Sequence, residues 1–261
     1  MPRTGFNRSR LVRALADLAA TDAAESKQSF ADRLGQWLDF NSALSLYSVL
    51  NAGTEGVAKG ASVALTAAAA REEFARVRGG LVESITPDGV LRPGKTRMAL
   101  PDSPPQASIE GAADLAPDFA PYHRYYLAHQ RDMNTSIGPL RATVRAALAA
   151  HSPALERLAA LDAVMDQALE ARERKLLATV PGRLAKRFEQ LFGAHRAARA
   201  DTQVDSQGDI QVVDDPDRWM QPGGWLAVFC AEMQVALLAE LEVRLQPIAG
   251  LIEALDNEVT S

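Results

Sequence analysis

Four histidines, at positions 123, 129, 151 and 195, and a single cysteine, Cys230, are the side chains of this 261-residue chain best suited to metal or proton chemistry. Their spacing argues against a shared ion. His123 and His129 stand six apart, which turns them to different faces of a helix, and no HExxH, HxxxH or Glu-x-x-His arrangement occurs. His129 with Asp132, three residues on, is the one local histidine–carboxylate pair, and that spacing equally suits an ordinary helix-surface hydrogen bond. Asp162, Asp166, Glu170 and Glu173 form a carboxylate row along one helix face. Matched by a second set on a facing helix, such a row holds divalent cations; alone, it pairs with Arg172, Arg174 and Lys175 or is simply solvated. His129, Asp132, Asp162 and Asp166 are therefore the polar site a helical core could assemble here. No residue is assigned a catalytic, cofactor-binding or metal-ligating role.

Other chemical motifs are weaker. The stretch from Gly53 to Gly60 has phosphate-loop glycines but no Gly-Lys-Ser/Thr ending and no preceding strand. Cys230 falls on an apolar helical stripe, where a thiol acts as a small hydrophobe. Ser and His occur without a Gly-x-Ser-x-Gly elbow. Two aromatic clusters have more content: Tyr122, Tyr125 and Tyr126 sit where a Pro-rich stretch enters a long helical pattern, and Trp219 and Trp225 flank a Gln-Pro-Gly-Gly turn. Such rings either pin loop ends onto a core or anchor a partner, so these five are the candidate interaction residues.

The elements that would carry these side chains follow from composition and period. Alanine supplies 47 residues and leucine 31, while aromatics are only 6%. Both abundant residues head the helix-propensity scale, so the chain is expected to be all-α: a long antiparallel helical hairpin or bundle with an N-terminal helical subdomain and a Pro-rich linker. One cysteine excludes an intrachain disulfide framework. The basic N-terminus leads into a stretch broken by Arg13 and Asp17, so no signal-peptide core is expected. The most apolar run is eleven residues against the roughly 20 of a membrane span. A cytoplasmic location follows.

Residues 1–86 form the expected N-terminal subdomain. Helices are predicted over about 8–20 and from Ser29 with Phe30, Leu34, Trp37 and Leu38 on one side, the second breaking or bending at Asp39-Phe40-Asn41 and continuing from Ser42 as a cap with Leu44, Leu46, Tyr47 and Leu50. A third is predicted from Thr54 to Ile85. Residues 87–118, rich in Pro and Gly, read as a linker or arm. From 119 to 261 the pattern is long-helical. Phe119, Tyr122, Tyr126, His129, Met133, Ser136 and Leu140, then Val144 and Leu148, repeat at three- and four-residue steps in coiled-coil fashion. Ser152-Pro153 signals a new helix, Ser as N-cap and Pro in its first turn, with Leu155, Leu158, Leu161, Met165, Leu169 and Leu176 as its stripe. With almost no connection, the two helices are expected to fold back as a hairpin. After Val180-Pro181 another helix runs over about 182–200, an acidic loop over 201–222, and a last long helix carries Leu226, Cys230, Met233, Leu237, Leu241, Ile248, Leu251 and Leu255.

Charge divides sharply along the chain. Residues 123–200 carry +6 and residues 201–261 carry −10, in a chain of net −5. Pairing of the basic middle with the acidic end is the favoured reading. The other reading is two separate partner faces; a nucleic-acid face through Arg141, Arg145, Lys186 and Arg187 is disfavoured, because the pI is about 5.5.

The run Phe30-Ala31-Asp32-Arg33-Leu34-Gly35-Gln36-Trp37-Leu38 with the residues from Ala24 before it, the segment Ala43-Leu44-Ser45-Leu46, and Ala185-Lys186-Arg187-Phe188-Glu189-Gln190-Leu191-Phe192 resemble an uncharacterised proteobacterial family, domain of unknown function 3348. The resemblance spans nearly the whole chain and brings no assigned site residues. It implies a cytosolic role beside a bacterial envelope complex. The expectation is a non-enzymatic adaptor or structural protein working through protein partners or self-association and needing no cofactor. The alternatives are an enzyme or metal protein built around His129, and nucleic-acid binding through 123–200.

Overall fold

The structure, a computed structural model, describes residues 10–19, 30–51, 67–86, 117–205 and 218–260. Among them are eight helices and no strand: α1 (Arg10–Ala19), α2 (Phe30–Trp37), α3 (Phe40–Asn51), α4 (Ala67–Ile85), α5 (Ala120–His151), α6 (Pro153–Leu177), α7 (Val180–Asp205) and α8 (Trp225–Thr260). The chain is all-α, as its alanine and leucine content implies.

Local chemistry sets the helix ends. Ser152 is extended, and its hydroxyl accepts from the Leu155 N–H at 3.3 Å, with Pro153 opening α6 behind it. The cap of α3 is Asp39 rather than Ser42: its Oδ1 accepts the Ser42 N–H at 2.7 Å. Hydrogen bonding with Ser42, its side chain first and this backbone N–H second, holds the Asp39 carboxyl below its ordinary range. Before α8, Gly223 takes φ +86°, and a Cβ on Gly224 would lie 2.3 Å from the Trp219 carbonyl oxygen. That carbonyl accepts the Ala227 N–H at 3.0 Å, so the Gly-Gly pair lets the preceding turn fold onto the first turn of α8. α7 runs through Asp205, five residues into the expected acidic loop. α5 continues across Pro139 and α8 across Pro247. The predicted start of the third helix at Thr54, the 87–116 stretch and residues 206–217 of the expected acidic loop lie outside the described residues.

Contacts group the chain into two units, each assembled from three stretches. The first takes 1–23, 83–131 and 179–239; the second takes 24–82, 132–178 and 240–261. Both units draw on the expected N-terminal subdomain and on the long-helix region.

In the first unit α1 packs on α7, burying Leu11 and Ala14. The stripes predicted for α5 and α8 are buried there at Tyr122, Tyr126, His129, Leu226, Cys230, Met233 and Leu237. In the second unit the same stripes bury Met133, Leu140, Val144, Leu148, Leu241, Ile248 and Leu255, and Leu245 is buried with them. There α3 packs on α6, the Arg172 guanidinium sits 4.4 Å over the Trp37 ring, and Arg71 of α4 meets Asp256 of α8 at 3.3 Å.

The turn at Ser152 is a hairpin. Arg141 and Asp162 are 21 residues apart, roughly 30 Å along a continuous helix at 1.5 Å per residue. Their side chains nevertheless meet at 2.5 Å, so α6 doubles back along the second half of α5.

Candidate functional site

The hairpin decides what the carboxylate row does. Arg141 Nε donates to Asp162 Oδ2 at 2.9 Å, its Nη2 to Asp162 Oδ1 at 2.5 Å and its Nη1 to Asp166 Oδ1 at 2.6 Å. One turn on, Arg145 Nε donates to Asp162 Oδ2 at 2.7 Å, and its Nη2 to Asp166 Oδ2 at 2.9 Å and to the Asp162 carbonyl at 3.1 Å. Two guanidiniums and two carboxylates thus close a part-buried network in which each cation bridges both anions. Charge-assisted, forked contacts of this kind are the strong ones. Burial opposes the charge on Arg141, yet Asp162 and Asp166 hold its pKa above the ordinary arginine value. Burial likewise pushes Asp162 up, but hydrogen bonds from Arg141 and Arg145 outweigh it, and its carboxyl ends below 3.8.

That sign fixes a pH dependence. A carboxyl lowered in the folded state contributes stability above its unfolded pKa and loses it as pH falls through the folded value. Thermal stability is therefore expected to hold at neutral pH and to fall below about pH 4, with Asp162→Asn less stable at pH 7 and less acid-sensitive. Thermal melts of both proteins at stepped pH check this; parallel acid slopes would count against the network.

The carboxylate row was expected to pair, if at all, with Arg172, Arg174 and Lys175 along its own helix. Arg174 does meet Glu170 at the surface, but Arg172 goes to Trp37, and the two aspartates take their partners from α5. Asp162 and Asp166 are engaged by arginines in the second unit, which also contains half-buried Asp132, while His129 is buried in the first unit at 4.5 Å from the Tyr125 ring. Among the described residues no group of three or more His, Cys, Asp or Glu side chains is arranged to hold a metal ion.

The five candidate interaction residues lie inside. Tyr122, Tyr125, Tyr126, Trp219 and Trp225 are all buried. Phe188 joins the two clusters, its ring 5.6 Å from Tyr122, 5.0 Å from Phe229 and 5.1 Å from Trp225, while Trp225 stacks at 5.4 Å on both Trp219 and Phe192. These rings pin the turn before α8 and the start of α5 to α7, and offer a partner almost no area. Cys230 is buried nearby, and desolvation pushes its thiol up to about 12; Tyr125 is raised to about 12 by burial and then by Cys230. A thiol so protonated is a packing group.

Of the proposed nucleic-acid contacts, Arg141 and Arg145 are committed to the network. Arg187 is bound side-on by Glu232, with Nε and Nη2 donating at 2.8 and 2.6 Å. That last pair joins the basic middle to the acidic end within the first unit. Lys186 is exposed.

One surface escaped the sequence reading. Phe40, Leu44, Tyr47 and Leu50 of α3 are 81, 56, 66 and 65% exposed, while Leu46 and Val49 on the other side are half-buried. The predicted stripe mixed residues of both faces. The available signal was that α3 contains no charged residue, which leaves it apolar on two sides.

A match to the family described as protein of unknown function (DUF3348) spans residues 1–257. No curated protein and no solved structure matches the chain. No described helix is long and apolar enough to cross a membrane.

Proposed function

This chain belongs to the DUF3348 family, and from that premise we propose that it is a non-enzymatic helical adaptor that works by holding another protein. The observation that carries the reading is where its polar and apolar groups go. The carboxylates best placed for chemistry, Asp162 and Asp166, are neutralised by Arg141 and Arg145, whereas α3 presents large apolar side chains to solvent. Soluble surfaces rarely gather such groups on one face unless a partner covers them. In this reading the helices form a bundle, with coiled-coil-like α5 and α8 as its scaffold, and the protein acts in the cytoplasm of a bacterium beside an envelope complex.

The test is purification of the full chain from its native cells with metal analysis and identification of what stays bound. A protein retained in fixed proportion through a high-salt wash, with metal far below one ion per chain, is the expected result. Metal bound one-to-one with no retained protein would replace the adaptor by a metal protein. Retention of nucleic acid that salt strips away would favour the basic region instead.

A further inference from the structure

We infer that the exposed face of α3 is a self-association surface whose occupant is the α3 helix of a second copy of this chain. The inference rests on the contact-protein reading above and supplies one partner for it. Positions 40, 44, 47 and 50 follow one another at steps of four, three and three, which keeps them on a single side of a helix. The opposite side of α3 is taken up by α6, so the Phe40–Leu50 face is not the one α3 uses within its own unit.

Charge and area select the occupant. The twelve residues of α3, Phe-Asn-Ser-Ala-Leu-Ser-Leu-Tyr-Ser-Val-Leu-Asn, include no acidic or basic side chain. A two-fold contact sets a patch against itself, so any charge on it meets a like charge; an uncharged apolar face meets no such penalty. A partner that recognised this helix by charge would find nothing to read. The four side chains expose on the order of 500 Å² between them, so two copies would bury roughly 1,000 Å², the lower limit of a specific interface. Phe40, Leu44 and Tyr47 also keep the alternating four-three step of a helix–helix seam. The expected dimer is thus reversible, with dissociation in the micromolar range.

Sedimentation velocity of the full chain over a dilution series, run beside Leu44→Glu, tests this. The wild-type protein is expected to pass from dimer to monomer on dilution. Leu44→Glu places a carboxylate from each copy in the contact and should weaken the dimer about 100-fold or more, with an unchanged circular dichroism melt because Leu44 already faces water. If Leu44→Glu loses helix content, Tyr47→Ser is read in its place; loss of folding in both would mean the face belongs to the core and would overturn the inference. A wild-type chain that stays monomeric at high concentration overturns it, as does a dimer indifferent to the substitution. A monomer that still retains another protein through α3 would sink self-association and leave the adaptor standing. A dimer carrying stoichiometric metal would do the reverse.

Discussion

Replacing Phe188 with alanine is expected to cost the protein about 3–5 kcal/mol of stability, the range for emptying a buried aromatic site. Phe188 is 3% exposed, and its ring lies within 5.6 Å of Phe119, Tyr122, Trp225 and Phe229. Edge-on and tilted ring pairs each contribute about 0.5–1.5 kcal/mol beyond the area they bury, and this one side chain makes four. The rings it touches come from α5, α8 and the residues just before α5, so no single neighbour can relax into the vacancy without disturbing the others. A domain of this size loses roughly 2–4 °C of melting temperature per kcal/mol, so the melt should drop by on the order of 10 °C. Near-ultraviolet circular dichroism should fade with it, since Trp225 lies against Phe188 and Trp219 against Trp225. Phe188→Leu, which refills part of the volume, should lose less. A loss below about 1 kcal/mol in the alanine variant would mean that the rings do not form one packed centre.

Phe188 also shows what the sequence could and could not tell. Its place on the α7 stripe is readable from the spacing of Leu184, Phe188 and Leu191. Its role as the link between the Tyr122 group and the Trp219–Trp225 pair is not, because that depends on three helices far apart in the chain meeting at one point. The α5 and α8 stripes were legible almost residue by residue, from His129 to Leu148 and from Leu226 to Leu255, since a three-and-four period over many turns has one physical solution: a face that must be covered. The hairpin at Ser152-Pro153 was legible because cap and proline fall together with no connecting loop.

Partnering was harder to read than periodicity. The carboxylates of α6 stand out as a row, but whether they bind an ion, water or arginines depends on what faces them, and the hairpin register brings Arg141 and Arg145. In α3 the period is ambiguous from the start: a charge-free helix has two apolar faces, and nothing local says which one meets α6. Proline is equally misleading by type, since Pro139 and Pro247 both lie inside helices that continue past them.

The sharpest test of that distinction sets two leucines against each other. Leu140 and Leu176 both lie on three-and-four stripes, of α5 and α6, and by spacing alone are equivalent. In the folded chain Leu140 is 3% exposed and Leu176 is 57% exposed, the inward position near the end of α6 being taken by Leu177. Leu140→Asp puts a carboxylate where no water follows, so either its charge is desolvated or it must take up a proton, and it also empties the leucine's volume. Several kcal/mol is the expected loss, about 3–5, with partial recovery under acid conditions that neutralise the new group. Leu176→Asp changes a side chain already in water and should move stability by no more than about 0.5 kcal/mol. Urea unfolding of the two variants beside the parent measures both. Equal losses would mean that both stripes are covered and that the exposed end of α6 is misdrawn; two negligible losses would mean that the α5 seam is not packed in the second unit, and with it would go the scaffold that holds Arg141 and Arg145 against α6.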